Sequence, residues 1–422
     1  MMQKPISADR SLPVRVVLVT LDNHLASVAD RAIQRLKADI PGLELRFHAA
    51  AEWAGNPESL ERCKADIAEG DIVIATMIFL EDQVAAIRPA LEARRDACDA
   101  MVCCLAEGQI VKLTKLGKFD MSKPQKGPMA LLKRLRGGKK SKESAGAQQA
   151  KMLKRLPQIL RFIPGAAQDV RAYFLTLQYW LAGSEDNVAN MIRFLVDRYA
   201  TGAREGLRGT LAPELPMDYP EVGLYHPAIK GHITEDEAAL SAPGSGGTVG
   251  LLLMRSYLLA GNTAHYDGVI AELEARGLNV VPAFAGGLDA RPAVSKYFTR
   301  DGHATVDAVV SLTGFSLVGG PAYNDAKAAE DMLADLDVPY LAAHAIEFQT
   351  LESWHGSGQG LMPVESTIMV AIPELDGATG PMVFGGRSEA PLGSTSNPLD
   401  QRHDTRDMIC FSERAQMLAA RV

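Results

Sequence analysis

The sequence predicts an α/β fold: two doubly wound, mostly parallel sheet units joined by a helical segment and an irregular connector. Three observations predict it. Short β-branched runs alternate with stretches of helical period over residues 14–105, and do so again over 248–372. Between them, aromatic residues at helical spacing give way to a run rich in Pro and Gly. The 422 residues also suffice for two or three domains at roughly 150 residues each. The expected division is 1–160, 161–245 and 246–422.

Val14–Thr20 (VRVVLVT), bounded by Pro13 and Asp22, reads as a buried strand. Residues 24–40 place Leu25, Val28, Ala29, Ala32, Ile33, Leu36 and Ile40 on one helical face, which Pro41-Gly42 ends. Strands follow at 43–48, 71–78 (DIVIATMI) and 100–105 (AMVCCL), with helices at 61–69 and 83–97. Such alternation makes a parallel sheet whose ligands sit at the carboxyl ends of its strands. Those ends carry no G-x-G-x-x-G and no P-loop, which argues against a nucleotide site. Glu81, Asp82 and Glu107 there suit either a cation or solvated loop and N-cap positions.

Residues 112–155 carry fourteen Lys and Arg against only Asp120 and Glu143, so they read as a basic loop. A solvated linker, or a docking surface for an acidic partner protein or a membrane surface, fits this pattern. Nucleic acid does not, because no aromatic residues interleave with the central charges and the chain's net charge is -7. No apolar run reaches the ~18–20 residues of a membrane span, and MMQKPISADRSLP lacks a signal-peptide core. Five cysteines without a C-x-x-C spacing fit reduced thiols in a cytoplasmic protein.

Residues 156–182 hold Phe162, Tyr173, Phe174, Tyr179 and Trp180 at helical spacing, the mark of a core face. Ser184-Glu185-Asp186 supplies an N-cap for a second helix, 187–199, and 211–244 reads as the irregular connector.

Thr248–Met254 (TVGLLLM) opens the second unit, followed by Arg255 and then Gly261-Asn262-Thr263 before a helix at 264–276. Strands are expected at 278–284, 307–312, 338–343 and 367–372, with a helix bearing Ala326, Met332 and Leu333. The strand ends deliver Arg255, Gly286-Gly287, Thr313-Gly314, then His344 and Glu347 to one sheet edge. Residues 344–387 hold the densest His and carboxylate cluster of the chain and read as functional loops.

LMRSYLLAGNTAHYDGVIAELEARGLNVVPAFAGGLD (253–289), ESW (352–354) and PELDGATGPMVFGGR (373–387) resemble the large subunits of the magnesium and cobalt chelatases. VRVVLVTLDNH (14–24) and the basic loop are similar to the N-terminal extension found in the magnesium branch of that family. The resemblance covers essentially the whole chain. It implies a subunit that binds protoporphyrin IX and inserts Mg²⁺, its substrate, while two AAA+ partner subunits bind and hydrolyse ATP. The missing P-loop agrees with ATP being held elsewhere. Family members are far longer, so the resemblance also implies an N-terminal portion that is inactive alone. Two other readings stay open: a cobaltochelatase large subunit, and a non-catalytic tetrapyrrole-binding or docking module.

Mg²⁺ prefers hard oxygen ligands and holds its waters tightly, and metal insertion must remove the pyrrole N–H protons. Carboxylates and a base are therefore the groups to seek. The candidates for proton transfer are His344, Glu347 and Glu374, and for the metal Glu352, His355 and Glu365. Arg255 suits a propionate, Asn262 an anion at a helix N-terminus, and His265 and Trp354 the macrocycle. Each has a plain alternative. Arg255 suits an internal ion pair, Asn262 a cap, His265 a helix-surface or partly buried position, Trp354 a core position, and the acids solvated loops, caps or a structural ion pair. Pro373 and Gly377 flag a turn in which Asp376 bonds the backbone.

Overall fold

The run VRVVLVT forms the first strand, as its β-branched residues predict, and the rest of the first sheet builds on it. The chain is described by a computed structural model over residues 12–21, 23–53, 56–123, 155–240, 244–320, 323–388 and 407–422. The centre of the basic loop, 124–154, and with it the docking expectation, lies outside them. Two compact units divide between Met217 and Asp218.

In the first unit, β1 (Val14–Thr20), α1 (Ala26–Leu36), β2 (Leu43–Ala49), α2 (Pro57–Glu69), β3 (Ile72–Thr76), α3 (Glu81–Arg94) and β4 (Ala100–Cys104) alternate as expected. β5 (Lys115–Leu116) and β6 (Phe119–Asp120) add an antiparallel edge. The order is β2-β1-β3-β4-β5-β6, and β1 to β4 run parallel. α2 begins four residues before its expected start, because the Asn56 side chain accepts the Ser59 amide at 3.2 Å and Pro57 suits the first turn. Cys63, Cys103 and Cys104 are free and buried; burial pushes the Cys104 thiol up to about 12, so it is inert at neutral pH.

The aromatic helices are α4 (Ala166–Leu181) and α5 (Glu185–Tyr199). Asp169 binds them to the β5–β6 hairpin: it accepts from the Lys118 amide at 3.0 Å, Tyr199 Oη at 3.0 Å and Arg198 Nη2 at 3.1 Å. The expected middle segment is therefore not a unit of its own. Its helices belong with the first sheet, and the connector from Asp218 belongs with the second.

The second unit contains β7 (Val222–Tyr225), β8 (Ile233–Thr234), β9 (Thr248–Met254), α6 (Arg255–Ala260), α7 (Ala264–Ala275), β10 (Asn279–Ala285) and β11 (Ala308–Ser311). It continues with α8 (Ala326–Leu336), β12 (Tyr340–Thr350), α9 (Leu351–Gly356), β13 (Thr379–Arg387), β14 (Met408–Cys410) and α10 (Ser412–Arg421). The order is β14-β13-β12-β11-β9-β10-β7-β8, parallel from β13 through β10. The alternate residues of β9 feed two cores: Leu251 and Leu253 pack with Val269, Leu273 and Phe284, and Leu252 with Val294, Phe298 and Val309. The parallel strands of both units thus share one wiring: β1 lies between β2 and β3, and β9 between β10 and β11.

The fifth strand is not 367–372. That stretch is helical, running as Pro363–Glu365, Ser366–Ala371 and Ile372–Asp376. Its β-branched residues imitate a strand, but the buried positions Glu365, Ile368, Met369, Pro373 and Asp376 follow a helical period. Gly377, at φ 108°, ends it in the conformation that favours glycine. The fifth parallel strand is β13, in PMVFGGR. β12 is also longer than expected, so His344 and Glu347 lie inside a strand rather than beyond one.

Candidate functional site

In the second sheet β10 lies on one side of β9 and β11 on the other. The chain changes direction there, and open α/β sheets place ligands at such points, beyond the carboxyl ends of the strands. A cleft of about 370 Å³ occupies this position, lined by Met254, Phe284, Gly287, Ser311, Thr313 and Leu317 among others. Its free interior is about 20 Å³, room for about one water and far too little for a macrocycle.

The wall after β11 is polar. Ser311 Oγ and Thr313 Oγ1 share a hydrogen bond of 3.0 Å, and Thr313 Oγ1 accepts the Phe315 amide at 3.3 Å. The Leu317 amide donates to Asp376 Oδ2 at 2.8 Å. Asp376 is 2% exposed, and burial raises its carboxyl above the ordinary value against the pull of Ser316 and Leu317. The turn expected at PELDG is thus a helix end whose aspartate bonds backbone 59 residues away. A helical reading of 363–376 places Asp376 on the buried face; a strand reading loses it among loops.

Beside the cleft, Tyr257 on α6 donates its hydroxyl to Glu347 Oε1 on β12. The Tyr257 ring meets His265 edge-on at 5.3 Å, and His265 lies 3.7 Å from the Tyr266 ring and parallel to Phe384 at 6.0 Å. His265 is fully buried, and its ring nitrogens have no hydrogen-bond partner among the described residues. Burial lowers its pKa to about 3, so it is a neutral ring within an aromatic nest. His344 is likewise buried and neutral, lowered to about 4. Glu347 shares the β12 face of Leu341, Ala343 and Ala345, whereas His344 shares that of Tyr340 and Ala342. The two therefore point to opposite sides of the sheet.

The remaining candidates are dispersed. Arg255 donates from Nε to the Pro220 carbonyl at 2.8 Å and from Nη2 to the Tyr219 carbonyl at 3.1 Å, fastening the start of the unit. Asn262 Oδ1 accepts the Met408 amide at 2.9 Å, holding β14. Glu365 is fully buried; its Oε2 accepts from Gln349 Nε2 at 2.5 Å and from the Met362 amide at 3.0 Å, closing the first turn of its helix. Glu352 accepts from Ser388 Oγ at 3.2 Å. Trp354 packs on Phe411 at 6.3 Å, with Arg414 5.1 Å over its ring. His355 and Glu374 are exposed. Among the described residues no three His, Cys, Asp or Glu side chains gather to hold a metal, so Glu352, His355 and Glu365 do not form one centre. In the first unit Glu107 caps a short helix through Gln109, and Glu81 and Asp82 open α3. No described helix is long and apolar enough to cross a membrane.

A family described as "CobN/Magnesium Chelatase" matches residues 177–422. The chain belongs to that family. The CobN/magnesium chelatase region begins within unit one and covers all of unit two; a domain of unknown function matches residues 15–174 before it. Among similar proteins, the magnesium-chelatase H subunit of Cereibacter sphaeroides is 52% identical over 96% of this chain and 34% of its own length. The chloroplastic magnesium-chelatase ChlH subunit of Oryza sativa subsp. indica is 35% identical over 93% of this chain and 29% of its own. This chain therefore spans about a third of the curated relatives it matches. A solved structure, the catalytic subunit of cobaltochelatase from Mycobacterium tuberculosis, aligns with 96% of this chain and 27% of its own at 18% identity and a TM-score of 0.48.

Proposed function

We propose that this chain is part of the porphyrin-handling large subunit of a cytoplasmic magnesium chelatase, which inserts Mg²⁺ into protoporphyrin IX. The observation that carries this reading is the 52% identity, over 410 residues, to a protein named as the H subunit of magnesium chelatase. The likeness to the aerobic cobaltochelatase subunit CobN of Pseudomonas aeruginosa is weaker, 28% identical over 57% of this chain, which favours the magnesium reading over the cobalt one. ATP would be bound and hydrolysed on AAA+ partner subunits, a division of labour consistent with strand ends that lack a P-loop.

The free interior of the cleft is too small to enclose a macrocycle, so in this reading the second unit supplies one wall of a larger enclosure. Insertion needs a base for the pyrrole protons. Of the expected groups, Glu347 suits that role: it is a half-buried carboxylate on β12, oriented by the hydroxyl that Tyr257 donates to it. His344 and His265 are enclosed away from solvent and serve packing.

Titration of the chain with protoporphyrin IX, followed by quenching of Trp emission, tests the binding part of the proposal. Saturable quenching is expected, and a strictly linear response over the porphyrin range would remove it.

A further inference from the structure

Phe162, expected on a core face, is 83% exposed, and its neighbours Ile159 and Ile163 are 59% and 38% exposed. Residues 155–160 form a short helix that ends in a turn, and every residue from Arg161 to Ala166 is exposed. The turn projects from the first unit with its largest apolar side chains in water.

This projection is held in place by α4. Leu156 and Leu160, one helical turn apart, are buried and anchor the short helix. Gln168 donates from Nε2 to the carbonyls of Leu160 at 2.8 Å, Arg161 at 3.2 Å and Ile163 at 2.6 Å, and Arg171 Nε donates to the Pro157 carbonyl at 3.0 Å. Carbonyls at a helix end, which lack intrahelical partners, are satisfied in this way. The backbone is thus fixed while Ile159, Phe162 and Ile163 stay outside the core.

The surroundings are cationic. The sequence has no Asp or Glu between Glu143 and Asp169, an interval that holds Lys151, Lys154, Arg155 and Arg161. Arg155 and Arg161 are exposed. The Arg171 pKa is lowered, first by burial and then by the charges of Arg161 and Arg198, so three guanidinium groups lie near one another. Asp169, the next acid along the chain, is buried and already accepts from the Lys118 amide, Arg198 and Tyr199.

We propose that this turn docks on an anionic lipid surface, with Phe162 and the two isoleucines among the acyl chains and Arg155 and Arg161 at the headgroups. Three features select a bilayer over a protein partner. The apolar contact is three side chains at one turn, whereas a stable protein interface takes about 800 Å² from each partner. Gln168 occupies the carbonyls of the turn, so they are not on offer to a directional partner. Cations beside an apolar tip match the border between acyl chains and anionic headgroups. The surface lies in the first unit and stands or falls independently of the chelatase reading.

Co-sedimentation of the whole chain with vesicles tests it, using phosphatidylcholine alone and phosphatidylcholine mixed with phosphatidylglycerol. Saturable binding to the mixed vesicles is expected, weakened by added salt, with binding to phosphatidylcholine alone weaker by about ten-fold or more. Ile159→Ser combined with Phe162→Ser changes exposed positions only. It should leave the thermal unfolding midpoint in place and weaken binding to the mixed vesicles by about ten-fold or more. Arg161→Gln should weaken it less and lower its salt dependence. No binding to the mixed vesicles would overturn the proposal, as would equal binding to both vesicle types. Binding unchanged in the double variant would overturn the placement at this turn.

Discussion

The Leu317 amide donates to Asp376 Oδ2 at 2.8 Å, joining the turn after β11 to the end of the helix that precedes β13. This bond shapes the wall of the cleft. Asp376→Ala would leave the Leu317 amide buried without an acceptor and should cost ~1–3 kcal/mol in urea unfolding. Asp376→Asn retains an acceptor and should cost less.

The pH dependence of that difference is specific. Burial raises the Asp376 pKa, so the folded state keeps its proton at pH values where the unfolded chain has lost it. Stability from this group is present at low pH and is lost as pH rises from the ordinary value of 3.8 through the raised one. Asp376→Asn removes that slope. Parallel pH–stability curves for the two proteins above pH 4 would contradict the assignment.

The buried histidines act in the opposite direction. Their folded pKa values, about 3 for His265 and about 4 for His344, lie below the ordinary 6.5. Below pH 6.5 the unfolded chain takes up protons that the fold refuses, so stability falls with pH by up to about 1.4 kcal/mol per unit for each histidine. His265→Phe, which keeps a ring against Tyr266, should remove one share of that slope in acid unfolding followed by circular dichroism.

Arg255 and Glu347 separate structure from chemistry. Arg255→Lys keeps the charge but loses the planar fork that reaches two carbonyls, and should cost ~1 kcal/mol of stability. Its effect on porphyrin affinity should stay within about two-fold, read in the same quenching titration. Glu347→Gln, placed in an assembled chelatase, should lower the insertion rate by about 10²-fold or more. Glu374→Gln, at an exposed position, should leave the rate unchanged.

Much of the fold is legible in the sequence because strand and helix periods differ. VRVVLVT and TVGLLLM are buried on almost every residue, and α1 carries a clear apolar stripe through Val28, Ala29, Ala32, Ile33 and Leu36. Thr367 to Ile372 mislead, because β-branched residues suit a strand locally while the stretch continues as a helix into Ile372–Asp376, which packs against the helix of Ala329 and Met332. The site is less legible. The family likeness in PELDG is visible, but which acid of that motif is buried depends on helical phase, and a strand at 367–372 sets that phase wrongly. Tyr257 gives no signal, since its partner Glu347 lies 90 residues away.

The central claim is tested most directly by exchange. This chain would replace the matching third of the Cereibacter sphaeroides H subunit, and the hybrid would be assayed with its partner subunits, ATP and protoporphyrin IX. Insertion of Mg²⁺ within about ten-fold of the unmodified rate is predicted, together with its loss in the Glu347→Gln hybrid. A folded hybrid that assembles with its partners yet inserts no Mg²⁺ would contradict the account.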